Sequence, residues 1–104
     1  MARLFDSRGN HIANVAEGRL YATGGTNIGR VIEPFGIYVD ISGGYLGEVI
    51  AGNRLVSNRA SGYRTTNFGN TESTESIADA GSPGNYGSIG LPGGYQDIDP
   101  SRLR

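Results

Sequence analysis

The sequence predicts an all-β fold: four strand-turn-strand repeats in an antiparallel meander with pseudo-fourfold closure, followed by an extended C-terminal tail. Three observations predict it. One apolar pattern recurs over the first two thirds of the chain. Turn-forming glycine and asparagine punctuate it at intervals too short for helices. The pattern then stops at Gly69, which divides the chain into a four-repeat β domain, 1-69, and a Gly/Ser-rich polar arm, 70-104.

The repeat is found by aligning Ile12, Ile28 and Leu46. Three positions before these anchors stand Gly9, Gly25 and Gly43. One position after them come Ala13, Gly29 and Gly47, and three positions after come Val15, Val31 and Val49. Seven positions before them lie Phe5, Tyr21 and Val39. A fourth copy aligns with a longer turn: Leu55 and Val56 open it, Gly62 is its turn glycine, Thr65 replaces the anchor and Phe68 the valine. The anchors advance by 16, 18 and 19 residues. A period of that length holds two strands of about five residues and two tight turns.

The segments Arg8-Gly9-Asn10, Gly24-Gly25-Thr26-Asn27, Ser42-Gly43-Gly44 and Ala60-Ser61-Gly62 supply the positive φ that hairpin turns require. Between units lie Glu17-Gly18, Glu33-Pro34-Phe35-Gly36 and Ala51-Gly52-Asn53, which turn in the same way. Eight short strands follow. Apolar residues alternate within them, although an interval of three also occurs, as from Ile12 to Val15. A lone hairpin is marginal in water, so four of them are expected to close and share one core. The small residue after each anchor marks either a crowded place near the pseudo-fourfold axis, where backbones approach closely, or a bulge.

Leu20-Tyr21 with Ile28-Gly29-Arg30-Val31, and Tyr38-Val39 with Leu46-Gly47-Glu48-Val49, resemble the four-fold β-flower domains. The resemblance spans residues 4-68. It implies β-hairpins arranged around a pseudo-fourfold axis and brings no assigned activity or functional residues.

In the arm, Ser73 to Gly81 has the capping residues of one or two helical turns. From Gly81 to Gly93 glycine falls at every third position, but these triplets are too few and too poor in proline for a collagen triple helix. An extended strap docking Tyr86, Ile89, Leu91 and Tyr95 is the structured alternative to a disordered linker.

Composition narrows the function. Nine basic and ten acidic residues leave a net charge of -1, so no positive field gathers a phosphate backbone or an anionic membrane. All nine basic residues are arginine, the cation enriched at protein interfaces. With no cysteine there is neither a disulfide framework nor a thiolate site. The N-terminus lacks the apolar run of a signal peptide, and no 18-residue apolar stretch is present. The expected location is therefore the cytoplasm on synthesis, with later incorporation into a virion or other particle.

Catalytic constellations are sparse. His11, the single histidine, follows a turn and reads as a solvated side chain. The pairs Asp97 with Asp99 and Glu72 with Glu75 lie in the arm, without a scaffold to fix their separation. The glycines are not followed by the Lys-Ser/Thr of a phosphate cradle. No cofactor and no metal are expected. These residues point to a non-catalytic structural or assembly protein, a homo-oligomer whose arm contacts itself or another structural protein, with neither nucleic acid nor membrane as partner. The alternative is a small ligand- or carbohydrate-binding module in which Tyr21 and Tyr38 stack against sugars.

Overall fold

The computed structural model describes residues 2–33, 35–70, 77 and 86–104. Among them the regular elements are strands and two short 3-10 turns. Seven strands follow one another as a meander: β1 (Ala2–Phe5), β2 (His11–Ala16), β3 (Arg19–Tyr21), β4 (Asn27–Ile32), β5 (Ile37–Asp40), β6 (Tyr45–Ile50) and β7 (Arg54–Asn58). Each pairs antiparallel with the next. In a meander with an odd number of strands the first and last run the same way, so closure demands a parallel contact. Phe5 of β1 pairs in parallel with Arg54 of β7, and its N–H donates to the Asn53 carbonyl at 2.9 Å. The seven strands thus form a closed barrel, which leaves few unpaired edges.

The first three hairpins are built alike. Leu4 pairs with Ala13, Leu20 with Gly29 and Tyr38 with Gly47. One step further, Phe5 pairs with His11, Tyr21 with Asn27 and Val39 with Tyr45. Each ladder therefore skips the aligned Ile12, Ile28 or Leu46, which is the extra residue of a β-bulge. The bulge breaks strict alternation and produces the interval of three between anchor and valine. Close approach occurs at the next residue as well: a Cβ on Gly29 would overlap the Val39 carbonyl, and one on Gly47 the Val56 carbonyl.

The fourth copy departs from the predicted hairpin. Residues Gly62–Thr65 form a 3-10 turn in place of a strand leading to Phe68. The Ser61 hydroxyl accepts the Tyr63 N–H at 3.2 Å and starts that turn. Tyr63-Arg64-Thr65-Thr66 also has no apolar alternation to bury. The eighth strand comes instead from the arm: β8 (Tyr95–Asp97) pairs antiparallel with β7, from Val56 opposite Asp97 to Asn58 opposite Tyr95. Val56 and Arg54 both pair with β6 on their other side, so β8 and β1 share one edge of β7. The helical turn expected from Ser73 to Gly81 lies outside the described residues, apart from Ile77, which is in neither helix nor strand.

Leu4, Ala13, Leu20, Ile28, Leu46 and Leu55 make one apolar cluster, joined from the arm by Ile98 and Leu103. A second cluster sets Ile37, Val39 and Tyr45 against Ile32, Tyr63 and Phe68. Each fully buried leucine contributes about 1.5–3 kcal/mol relative to exposure. Ile98 and Leu103 thus belong to the same interior as the repeats.

Two of the turns between units carry a non-glycine residue at positive φ, Glu17 at 52° and Ala51 at 51°, each followed by glycine. Both central residues of such a turn are left-handed, a conformation that asparagine tolerates better than alanine. Exposed Ala51→Asn is therefore expected to stabilise the protein by roughly 0.5–1 kcal/mol, read as a rise of a few degrees in the thermal midpoint. No helix among the described residues is long and apolar enough to cross a membrane.

Candidate functional site at the hairpin tips

The three hairpins end in tips of one design. In the first, Asp6 N–H donates to Asn10 O at 2.9 Å and Gly9 N–H to Asp6 O at 3.1 Å. The second uses Ala22 to Thr26 O and Gly25 to Ala22 O, and the third Asp40 to Gly44 O and Gly43 to Asp40 O, all between 2.8 and 3.0 Å. Gly9, Gly25 and Gly43 close these loops at φ of 88°, 103° and 91°. Carboxylates brace two of the tips: Asp6 accepts the N–H groups of Arg8 and Asn10, and Asp40 accepts Gly44 N–H and the Ser42 hydroxyl.

Three later residues, Phe68, Ile77 and Tyr86, each meet one of these tips. Phe68 N–H donates to Gly43 O at 3.0 Å, Ile77 N–H to Gly25 O at 2.9 Å and Tyr86 N–H to Gly9 O at 2.9 Å. Side chains reinforce two of the contacts. Arg30 donates to the carbonyls of Phe68 and Gly69 at 2.9 and 3.2 Å. The Tyr86 ring packs 4.3 Å from the Phe5 ring, with the Arg54 guanidinium 5.7 Å from its centre. Arg54 is buried and also donates to Asp6 O at 3.2 Å. Ile89 N–H donates to Ser7 O at 2.8 Å.

Beyond the tips the arm enters the barrel. Asp97 accepts both the N–H and the hydroxyl of Ser7, at 2.8 and 2.7 Å. Tyr95 donates to Glu48 at 2.7 Å, and Tyr45 donates to the other oxygen of that carboxylate at 3.3 Å. Asp99 caps a 3-10 turn, Pro100–Leu103, by accepting Ser101 N–H at 3.0 Å, and this turn delivers Leu103 to the core. Arg102 meets Asp40 at 3.3 Å.

Of the residues singled out in the arm, Tyr86, Ile89 and Tyr95 touch the barrel of their own chain, and Leu91 is half-buried. Tyr21 and Tyr38 are not displayed together for stacking. Tyr21 is 5% exposed and lies between Asn14 and Asn27 in the sheet, while Tyr38 packs half-buried against the core. Sequence reasoning misses Arg54 and Ser7 and leaves Asp97 in an unscaffolded pair with Asp99, because the roles of all three depend on distant partners. Ile98 and Leu103 had a local signal, as isolated apolar residues in a polar stretch.

A cavity of about 230 Å³ lies beside the 3-10 turn and is lined by Asp6, His11, Ile12, Thr23, Ile98 and Leu103, among others. It is smaller than a usual small-molecule site. Two of the polar groups lining it, His11 and Asp6, also have structural work. His11 Nε2 is 2.7 Å from Asn14 Oδ1 and 3.1 Å from Ala13 O, and the Asp6 carboxylate is taken up by its own tip. A wider hollow of about 520 Å³, lined in part by Asn27, Asp40, Ser42 and Arg104, is open to solvent. Among the described residues no three metal-ligating side chains gather.

No family model, curated protein or solved structure matches this chain.

Asp40 makes one of these contacts sensitive to acid. Partial burial raises its pKa, but Ser42, Gly44 and Arg102 together outweigh that effect and hold the carboxyl below its ordinary value of 3.8. A carboxyl lowered in the folded state stabilises above its unfolded pKa, and this contribution is lost as pH falls through the folded value. Asp40 is partly and Arg102 largely open to solvent, which screens the pair, so the effect is modest. Asp40→Asn is expected to flatten the acid limb of a stability–pH curve measured by urea unfolding. An unchanged acid limb counts against the Asp40 contacts.

Proposed function

We propose that this protein is a non-catalytic structural or assembly protein, with the C-terminal arm as the element that joins it to another copy or to another structural protein. One observation carries this reading: residues 86–104 make interface-type contacts, combining a backbone ladder in β8, a carboxylate clamp at Asp97 and two buried apolar side chains, Ile98 and Leu103. A segment with such contacts can be exchanged between copies with each contact preserved, which makes domain exchange an inexpensive route to oligomers. The resemblance to the β-flower domains fits this reading, since those carry no assigned activity. The all-arginine basic set suits protein contacts in the same way.

The chain has no native cysteine, so an engineered pair reports the arm's partner without background. Ser57→Cys with Gln96→Cys places two thiols at directly opposed positions of β7 and β8 and leaves the Ser7–Asp97 clamp intact. Under oxidation across a concentration series, arm exchange is expected to give cross-links between chains that increase with concentration. Cross-linking confined within single chains at every concentration, together with a monomeric mass by light scattering, would overturn the proposal.

A further inference from the structure

The contacts at the tips share a spacing. The arm residues that meet them are Phe68, Ile77 and Tyr86, and the next residue at the same interval of nine is Tyr95, which pairs with Asn58 at the end of β7. Beside it, Arg59 N–H donates to Gly94 O at 2.7 Å. The barrel residues are met in the order Gly43, Gly25, Gly9 and Asn58. These belong to the third, second and first hairpins and then to β7, which is joined to both the first and the third. The contacts therefore proceed in one direction around most of the barrel, and each nine-residue step matches a step of about two strands around the ring.

We infer that the hairpin tips are equivalent docking sites for backbone N–H groups spaced nine residues apart along one chain, and that Phe68, Ile77 and Tyr86 are the cognate residues. The recognition chemistry is the same at each of the first three sites. The carbonyl of the tip glycine accepts the N–H of a non-polar residue, and the bare Cα of that glycine lies against the docked backbone. A Cβ on Gly9 would overlap the Tyr86 carbonyl, and one on Gly25 the Ile77 carbonyl. One on Gly43 would sit 2.6 Å from the backbone of Gly69. Positive φ alone does not require this emptiness: Gly52 has φ of 86° in a turn between units, and a Cβ there would meet nothing within 4 Å. The tip glycines are thus constrained twice, by the turn and by the docked strand. The residue after each of the first three docked positions is small, Gly69, Ala78 and Gly87. The sites are the same whether the arm comes from its own chain or a neighbour's, so the inference stands apart from the proposed arm exchange.

Amide hydrogen exchange by NMR on the intact protein tests it. Gly43→Ala, Gly25→Ala and Gly9→Ala are expected to speed exchange at Phe68, Ile77 and Tyr86 respectively, each by about tenfold or more relative to the other two amides. Gly52→Ala carries the same left-handed strain without the overlap and is expected to leave all three amides in step. Arg30→Gln leaves every turn intact and is expected to release Phe68 alone. Even loss of protection at all three amides in each tip variant would overturn the one-to-one docking. So would Arg30→Gln leaving Phe68 no faster than Ile77 and Tyr86.

Discussion

Replacing Ile98 by aspartate is expected to destabilise the barrel by about 3–5 kcal/mol, although residue 98 lies in a segment that looks like a polar tail. Ile98 is 7% exposed and belongs to the apolar cluster shared by Leu4, Leu20, Leu46 and Leu55. A carboxylate there is set among leucines, so it must either be buried in apolar surroundings or pull β8 away from β7. Urea unfolding followed by circular dichroism reads the loss as a lowered midpoint. An appended tail would instead give a shift within about 0.5 kcal/mol, the range of ordinary surface substitutions.

Gly47→Val is the second substitution with a large expected effect, about 2–4 kcal/mol of stability. A Cβ at residue 47 would overlap the Val56 carbonyl and lie 3.0 Å from Ile98 Cδ1. The Ile98 side chain can turn aside, but the carbonyl belongs to β7, which pairs with β6 on one side and β8 on the other. Moving it disturbs both ladders. The equivalent residue of the first hairpin is Ala13, which is buried and already carries a Cβ. Ala13→Gly is thus expected to cost only about 0.5–1 kcal/mol, the general penalty for glycine within a strand. Thermal melts of the two variants compare the sites directly, and equal losses would contradict the difference in crowding.

The contrast between residues 13 and 47 shows what could be read from the sequence. The alignment of Ile12, Ile28 and Leu46 found three hairpins whose registers and bulges coincide, because a bulge is a local event with a local signature. The anchor is the bulged residue, and at Gly29 and Gly47 the next residue lies close to the backbone of the neighbouring strand and not at an axis shared by the repeats. The fourth unit was misread because glycine and a few apolar residues satisfied the spacing while Ser61 favoured a 3-10 turn. No local pattern marked β8 as the replacement strand, since three residues, Tyr95-Gln96-Asp97, take their conformation from β7 and not from their own propensity. At the tips, Tyr86, Ile89 and Tyr95 were legible as apolar residues in a polar arm. Phe68 was assigned to the repeat instead, and Ile77 to a helical turn, so the common interval of nine was hidden between two different readings.

Three tyrosines extend the same picture to alkaline conditions. The hydrogen bond to Glu48 raises the Tyr95 pKa. Burial comes first for Tyr45, with Glu48 adding to it, and burial followed by the charge of Glu33 acts on Tyr38. A raised phenol stabilises the fold fully below the ordinary value of 10.0, and that contribution is lost as pH rises through the folded pKa.

Closure of the barrel underlies every one of these expectations, and cross-strand nuclear Overhauser contacts measure it most directly. A barrel closed by β1 and completed by the arm gives contacts between Phe5 and Arg54 and between Val56 and Asp97 in the same molecule. Absence of the first would leave an open sheet, and absence of the second would return residues 95–97 to an unattached tail.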